Sequence, residues 1–168
     1  MLKKIFLLSF IGLIFSVNST YGQGNSFEKI YRDAGYTSIN NAKSTFEKHN
    51  KRKTNIPKNV QDYLPFKFTH SFGQYNFQKS KDLRIEYINK DSGEIYIILV
   101  YPQKNEVVFS KPDKIGKFKK GKDQYKFVKE NRFSTFQFRS NKFSYILSSN
   151  SKSINEENFI KIANLIRN

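Results

Sequence analysis

The chain reads as an α+β domain: an antiparallel meander sheet of about five to seven strands, with helices on the N-terminal side and an amphipathic C-terminal helix packed on it. Three stretches predict this. Leu83–Tyr101 (LRIEYINKDSGEIYIILVY) has the pattern of a β-hairpin. Leu83, Ile85 and Tyr87 alternate with Arg84 and Glu86, as on a strand with one wet face, and Asn89–Gly93 supplies turn formers. Phe133–Arg139 and Lys142–Leu147 repeat the theme across Ser140–Asn141, with Phe136 and Phe138 alternating with Thr135, Gln137 and Arg139. The end of the chain places Phe159, Ile162, Ala163 and Ile166 at helical spacing.

Composition bounds the rest. A length of 168 residues favours one domain. The 17 Phe and 10 Tyr suffice for a core, each buried ring removing about 150–250 Å² from water. The formal net charge is +16, from 30 basic and 14 acidic residues. Such an excess attracts nucleic acid, acidic headgroups, acidic glycans or acidic proteins. A general bias toward Lys, Asn, Ile, Phe and Tyr accounts for it equally well, with the charge serving solubility alone. Cysteine is absent, which excludes disulfides, thiolate metal sites, cysteine nucleophiles and a lipidated cysteine anchor.

In chain order, residues 1–22 read as a secretory signal peptide. Lys3 and Lys4 precede Ile5–Val17, an apolar run of 13 residues. That run falls within the ~7–15 of such signals and short of the ~20 that span a bilayer. Small residues at Thr20 and Gly22 suit cleavage between Gly22 and Gln23, giving a periplasmic or secreted protein. Removing Lys3 and Lys4 leaves 28 basic and 14 acidic residues, a net of +14.

Residues 23–59 form a helical segment and a basic linker. Ser26 caps a predicted helix over Phe27–Asp33, which Gly35 ends. Ser38 caps a second, roughly Ile39–His49, with Ile39, Ala42 and Phe46 on one face. Asn50–Asn59 reads as a solvated, Pro-containing linker. Residues 60–168 make the sheet domain. Val60–Phe68 is apolar but irregular because of Pro65, and Ser71–Gly73 turns into a short strand at Tyr75–Gln78. The hairpin follows. Its return strand, Ile95–Tyr101, is apolar at every position, as a central strand covered on both faces would be. Glu106–Phe109 and Gln124–Val128 read as further strands. Ser153 and Glu156 match a capping box for the last helix, which is expected to cover the second face of Ile95–Tyr101.

From Leu64 onward, the segment LPF, the strand RIEYIN, the turn KDSGE, the strand YIILVY and the terminal SINEENFIKIANLI occur in an order that resembles a known family. It is the extracytoplasmic domain of unknown function at the C-terminal end of some bacterial anti-sigma and sporulation-linked membrane proteins. Those domains often end in a helix beginning Ser-x-x-Glu-Glu and running through Ile-Ala. The resemblance covers roughly two thirds of the chain and implies an extracytoplasmic sheet-and-helix module without catalytic residues. The chain departs from it in showing no transmembrane helix and no cytoplasmic domain, so the anti-sigma role is not implied. In layout the chain is also similar to the photosystem-associated PsbP type.

The chemistry on offer is sparse. His49 and His70 are the only histidines, without HxH or HxxxH spacing, so no metal site is expected. Two imidazoles with nearby lysines could serve a nuclease-like phosphodiesterase as acid and base. GxSxG and Gly-rich phosphate loops are absent. Asp91–Glu94 lacks the ligand pattern of a calcium loop. The strongest candidate is Lys111–Arg132, nine basic residues against three acidic. Within it Lys111, Lys114, Lys117, Lys119, Lys120, Lys122 and Lys126 are the expected anion-binding residues. Tyr125 and Phe127 either stack on a ligand or share a strand face in the core. The expected function is a non-catalytic, exported bacterial envelope or secreted module, without cofactor, that holds an anionic surface or an acidic partner, nucleic acid among the possibilities. The alternatives are the nuclease built on His49 and His70, and an envelope interaction or immunity-type protein.

Overall fold

The computed structural model describes residues 26–78, 81–103, 112–119, 123–130 and 132–168. The expected signal peptide, the expected strand at Glu106–Phe109, and Lys111, Lys120 and Lys122 lie outside them.

Two short helices open the described chain. α1, Phe27–Asp33, starts where the Ser26 hydroxyl accepts from the Lys29 amide, and Gly35 follows it at φ +85°. α2, Ile39–Asn50, is capped by Ser38 in the same way and ends at Lys51 in the left-handed conformation, φ 50°. Irregular chain and a 3-10 turn at Val60–Tyr63 lead into the sheet.

Among the described residues seven antiparallel strands follow: β1 His70–Tyr75, β2 Leu83–Asn89, β3 Glu94–Pro102, β4 Lys114–Lys117, β5 Gln124–Lys129, β6 Ser134–Ser140 and β7 Phe143–Ser149. α3, Glu156–Arg167, ends the chain. The sheet order is β1-β2-β3-β7-β6-β5-β4. Two meanders, β1-β2-β3 and β7-β6-β5-β4, therefore meet along a β3–β7 seam, where Ile98 faces Leu147 and Val100 faces Tyr145. β3 is internal, as its unbroken apolar run requires.

Alternation along the strands sorts the two faces. Leu83, Ile85, Tyr87, Tyr96, Ile98, Val100, Phe136, Phe138, Tyr145 and Leu147 build the main core with Ala42 and Phe46 of α2 and Phe159, Ile162, Ala163 and Ile166 of α3. Phe159 lies 5.9 Å from the Tyr96 ring and stacks 5.8 Å from Phe136. The opposite face carries a smaller cluster of Ile97, Leu99 and Ile146, flanked by Ile95, Tyr101 and Phe133. α1 lies at the β1–β2 end of that second face, where Tyr31 stacks on Phe72 at 4.2 Å.

Three expectations are corrected. α3 does not take the second face of β3; it shares the main face with α2, because the wide core of ring residues lies there. Ser71–Gly73 is not a turn but the middle of β1, and Tyr75 ends that strand rather than starting one. Gly73 is needed for close approach: a Cβ there would lie 2.8 Å from the Ala42 Cβ and 2.9 Å from the Ile39 Cα. Thr37 also bridges to Gly73, so the start of α2 closes over the β1 edge. Finally, α3 is capped by Asn155, whose side chain accepts from the Asn158 amide while Asn158 reaches back to the Asn155 amide. Ser153 is instead engaged by Ser151 at 2.8 Å, and the helix starts later than expected.

Candidate functional site

The basic segment singled out in the sequence divides into distinct environments. Tyr125 is buried, and its hydroxyl donates to Glu156 on α3. Phe127 packs on the main core beside Phe159, 6.2 Å between rings. Neither ring is available for stacking on a ligand. Lys114 is held by Glu156 at 2.8 Å. Lys126 is half-buried on the opposite face of β5 from Tyr125. Lys117 and Lys119 are exposed and have no ion-pair partner among the described residues.

Those two belong to a larger arrangement that the sequence does not display. Lys117 pairs with Gln124, so it marks the end of the sheet that also carries the β6–β7 turn at Asn141–Lys142. Folding brings Lys53 to the same end, where its carbonyl accepts from the Asn141 side chain at 3.2 Å. Lys51, which caps α2, arrives there too: Phe46, one turn earlier, packs on Phe143 and Tyr75, the terminal residues of β7 and β1. Lys51, Lys53, Lys117, Lys119 and Lys142 thus rim one end of the sheet, all exposed and without an ion pair among the described residues.

Carboxylates at this end are occupied. Asp123 pairs with Arg167 at 3.0 Å. Glu47 accepts from the amide and the hydroxyl of Thr54, both at 2.7 Å. Asp82 is buried, and that burial pushes its carboxyl above the usual range. The other end is mixed: Asp91 and Glu130 lie at its β2–β3 and β5–β6 turns, Glu94 accepts from Ser151 at 2.6 Å, Glu157 pairs with Lys161 at 3.4 Å, and Lys90, Lys129, Arg132 and Lys152 are exposed there as well. What distinguishes the lysine-rimmed end is that the carboxylates described there are paired, hydrogen-bonded or buried, so its exposed lysines are not neutralised.

Backbone conformation marks the same end. Among the described residues four non-glycine positions have positive φ: Lys51 (50°), Lys81 (55°), Asn141 (48°) and Lys142 (63°). A left-handed residue after a helix, or in a two-residue hairpin turn, is ordinarily Gly or Asn, since a Cβ is disfavoured by about 1 kcal/mol or more. Three of these positions hold lysine instead.

The two histidines are not brought together. His70 begins β1, whereas the His49 ring packs on Tyr75, which ends it, and on Phe77 at 4.4 Å. Five residues of strand separate these points, about 17 Å at ~3.3 Å each. His70 is bound locally: its Nε2 meets Glu28 at 2.8 Å and its Nδ1 meets the Thr69 hydroxyl at 2.8 Å. This links α1 to β1. Among the described residues no three His, Asp or Glu side chains converge as a metal site requires. No helix among them is long and apolar enough to cross a membrane. In comparisons with family models, curated proteins and solved structures, the chain matches none.

Proposed function

We propose that this chain is an exported, non-catalytic module that holds an anionic surface or an acidic partner against the lysine-rimmed end of its sheet. The observation that carries the reading is the uncompensated cluster: exposed, unpaired lysines from α2, β4 and the β6–β7 turn share one end, where the described carboxylates are paired, hydrogen-bonded or buried. Lysine ammonium groups on flexible stems act as point charges and suit a surface of many phosphates or carboxylates rather than one planar ligand. Export rests on the n-region, the apolar run and the small residues before Gln23. The resemblance to an extracytoplasmic domain agrees with that location.

The test is binding of the protein to labelled RNA, DNA and anionic vesicles across a salt series, with zwitterionic vesicles as control and substrate integrity checked afterwards. The expected result is binding that falls steeply with salt and leaves the nucleic acid intact. Combined Lys117→Ala, Lys119→Ala and Lys142→Ala substitution should weaken it. Cleaved RNA would favour the phosphodiesterase alternative. Absence of binding at low salt would remove the function assigned to the charge.

A further inference from the structure

At the opposite end of the sheet a cleft of about 210 Å³ opens between the β5–β6 turn and the segment that follows β7. We propose that this cleft is a second, separate site, which takes a single tetrahedral oxyanion: a phosphate or sulfate group, free or as the head of a larger molecule.

Three cations reach the cleft from two parts of the chain, Lys129 and Arg132 from the turn and Lys152 from beyond β7. All three side chains are exposed, and none has an ion-pair partner among the described residues. The wall behind them is rigid. Ser134, Ser149 and Ser151 are 7%, 0% and 4% exposed. The Ser149 hydroxyl donates to the Ile95 carbonyl at 2.8 Å and accepts from the Ser151 amide at 3.1 Å. The Ser151 hydroxyl donates to Glu94 at 2.6 Å. The residues flanking the turn are tied as well: the Glu130 amide donates to the Phe133 carbonyl at 2.8 Å, and the Lys129 amide to Asp113 at 2.6 Å. Phe133 and Ile154 complete the lining.

Size and charge define the ligand. The cleft is smaller than the ~300–1,000 Å³ of sites that enclose whole drug-sized molecules, so it suits a head group. Arg132 offers a planar fork to two oxygens, with Lys129 and Lys152 as flanking point charges. One carboxylate, Glu130, shares the lining and opposes an anion. This gives the site two side chains of opposite predicted sign.

The experiment is calorimetric titration of the protein with inorganic phosphate, inorganic sulfate and glycerol 3-phosphate, at ionic strength held constant with chloride, alongside amide chemical shifts. Saturable binding is expected, with shifts at Ser134, Ser149, Ser151 and Ile154. Arg132→Gln should weaken it about tenfold, the size of a lost charge-assisted hydrogen bond, and Glu130→Gln should tighten it. Lys51→Gly and Lys142→Gly, at the far end, should leave it unchanged while weakening vesicle or nucleic-acid binding, so the two sites fail or succeed separately. Equal affinity for phosphate and its ester would identify the free anion as sufficient; tighter binding of the ester would point to a head group. Heats of dilution alone with every probe, equal affinity in Arg132→Gln, or shifts spread over the lysine rim would overturn the proposal.

Discussion

The Tyr125 hydroxyl, on β5, donates to the Glu156 carboxylate in the first turn of α3, and Lys114 on β4 holds the same carboxylate at 2.8 Å. One acidic side chain at a helix N-terminus thus fastens two strands to the helix that covers them, where the helix dipole also favours its charge. Burial alone would raise the Glu156 carboxyl; the Lys114 and Tyr125 bonds outweigh it and hold the group below 4.5. A carboxyl held low contributes stability that is present above pH 4.5 and lost as pH falls through its folded value. Thermal unfolding of Glu156→Gln followed against pH should show a flatter acid limb than the parent. Tyr125→Phe should lower stability by about 1–2 kcal/mol, as loss of a hydrogen bond to a charged acceptor does.

Glu86 is the most deeply buried carboxylate described, 2% exposed, and receives hydrogen bonds from Tyr36 at 2.7 Å, Tyr31 at 3.2 Å and Arg84. α1 has only seven residues, none buried, so it is held by the Tyr31 bond to Glu86, the Tyr31–Phe72 stack, and the contacts of Glu28 and Phe27 with His70, with the Tyr36 bond fixing the chain just after it. Removing donors strands a buried charge. The double variant Tyr31→Phe and Tyr36→Phe should destabilise by about 3 kcal/mol or more, and hydrogen exchange should show α1 opening ahead of α2.

Lys51→Gly and Lys142→Gly should each raise stability by about 0.5–1 kcal/mol, because each relieves a Cβ in the left-handed region. The same changes remove charge from the proposed anionic-surface site. Denaturant midpoints should rise as vesicle or nucleic-acid affinity falls. A loss of both together would indicate that these lysines serve the fold.

Burial pushes Tyr87, Tyr125 and Tyr145 each up to about 12, with the Glu156 bond adding to the effect at Tyr125. For a group raised on folding, the stability is fully present below its unfolded value, here 10, and is lost as pH rises through about 12. Phenolate absorbance is expected to grow in step with circular-dichroism unfolding over that interval. Ionisation well ahead of unfolding would contradict the buried placement of these rings.

Gly73→Ala should cost about 1–3 kcal/mol, as overpacking against backbone and a small side chain does, and should act by lifting α2 from β1. Chemical shifts confined to α2 and β1 would report it.

Local signals carried much of this architecture into the sequence. Ser26 and Ser38 place α1 and α2, and the strict alternation from Leu83 with turn formers at Asn89–Gly93 places β2 and β3. Where two local patterns compete, the pattern alone does not decide: Ser153–Glu156 and Asn155–Asn158 both fit a capping rule, and Ser151 draws Ser153 away. Gly73 looks like a turn residue because sequence shows its missing Cβ without showing the helix that fills the space. The lysine rim was hidden for a related reason. Lys51–Lys53 read as a solvated linker and Lys142 as the start of a strand; only a contact between residues 88 apart, Asn141 to Lys53, places them side by side. Lys117 and Lys119 were visible from the outset.

The β3–β7 seam bears on how the chain reaches its native state. Every other strand pair joins near neighbours in sequence, but Tyr96 must find Ser149 and Pro102 must find Phe143. Closing so long a loop is slow on the contact-order scale, whereas each meander can form from local contacts. The rate-limiting barrier therefore belongs to the docking of two preformed hairpin systems. Truncations on the seam, such as Ile98→Val or Leu147→Ala, should slow refolding more than they speed unfolding, while changes in β1 or β4 should do the reverse.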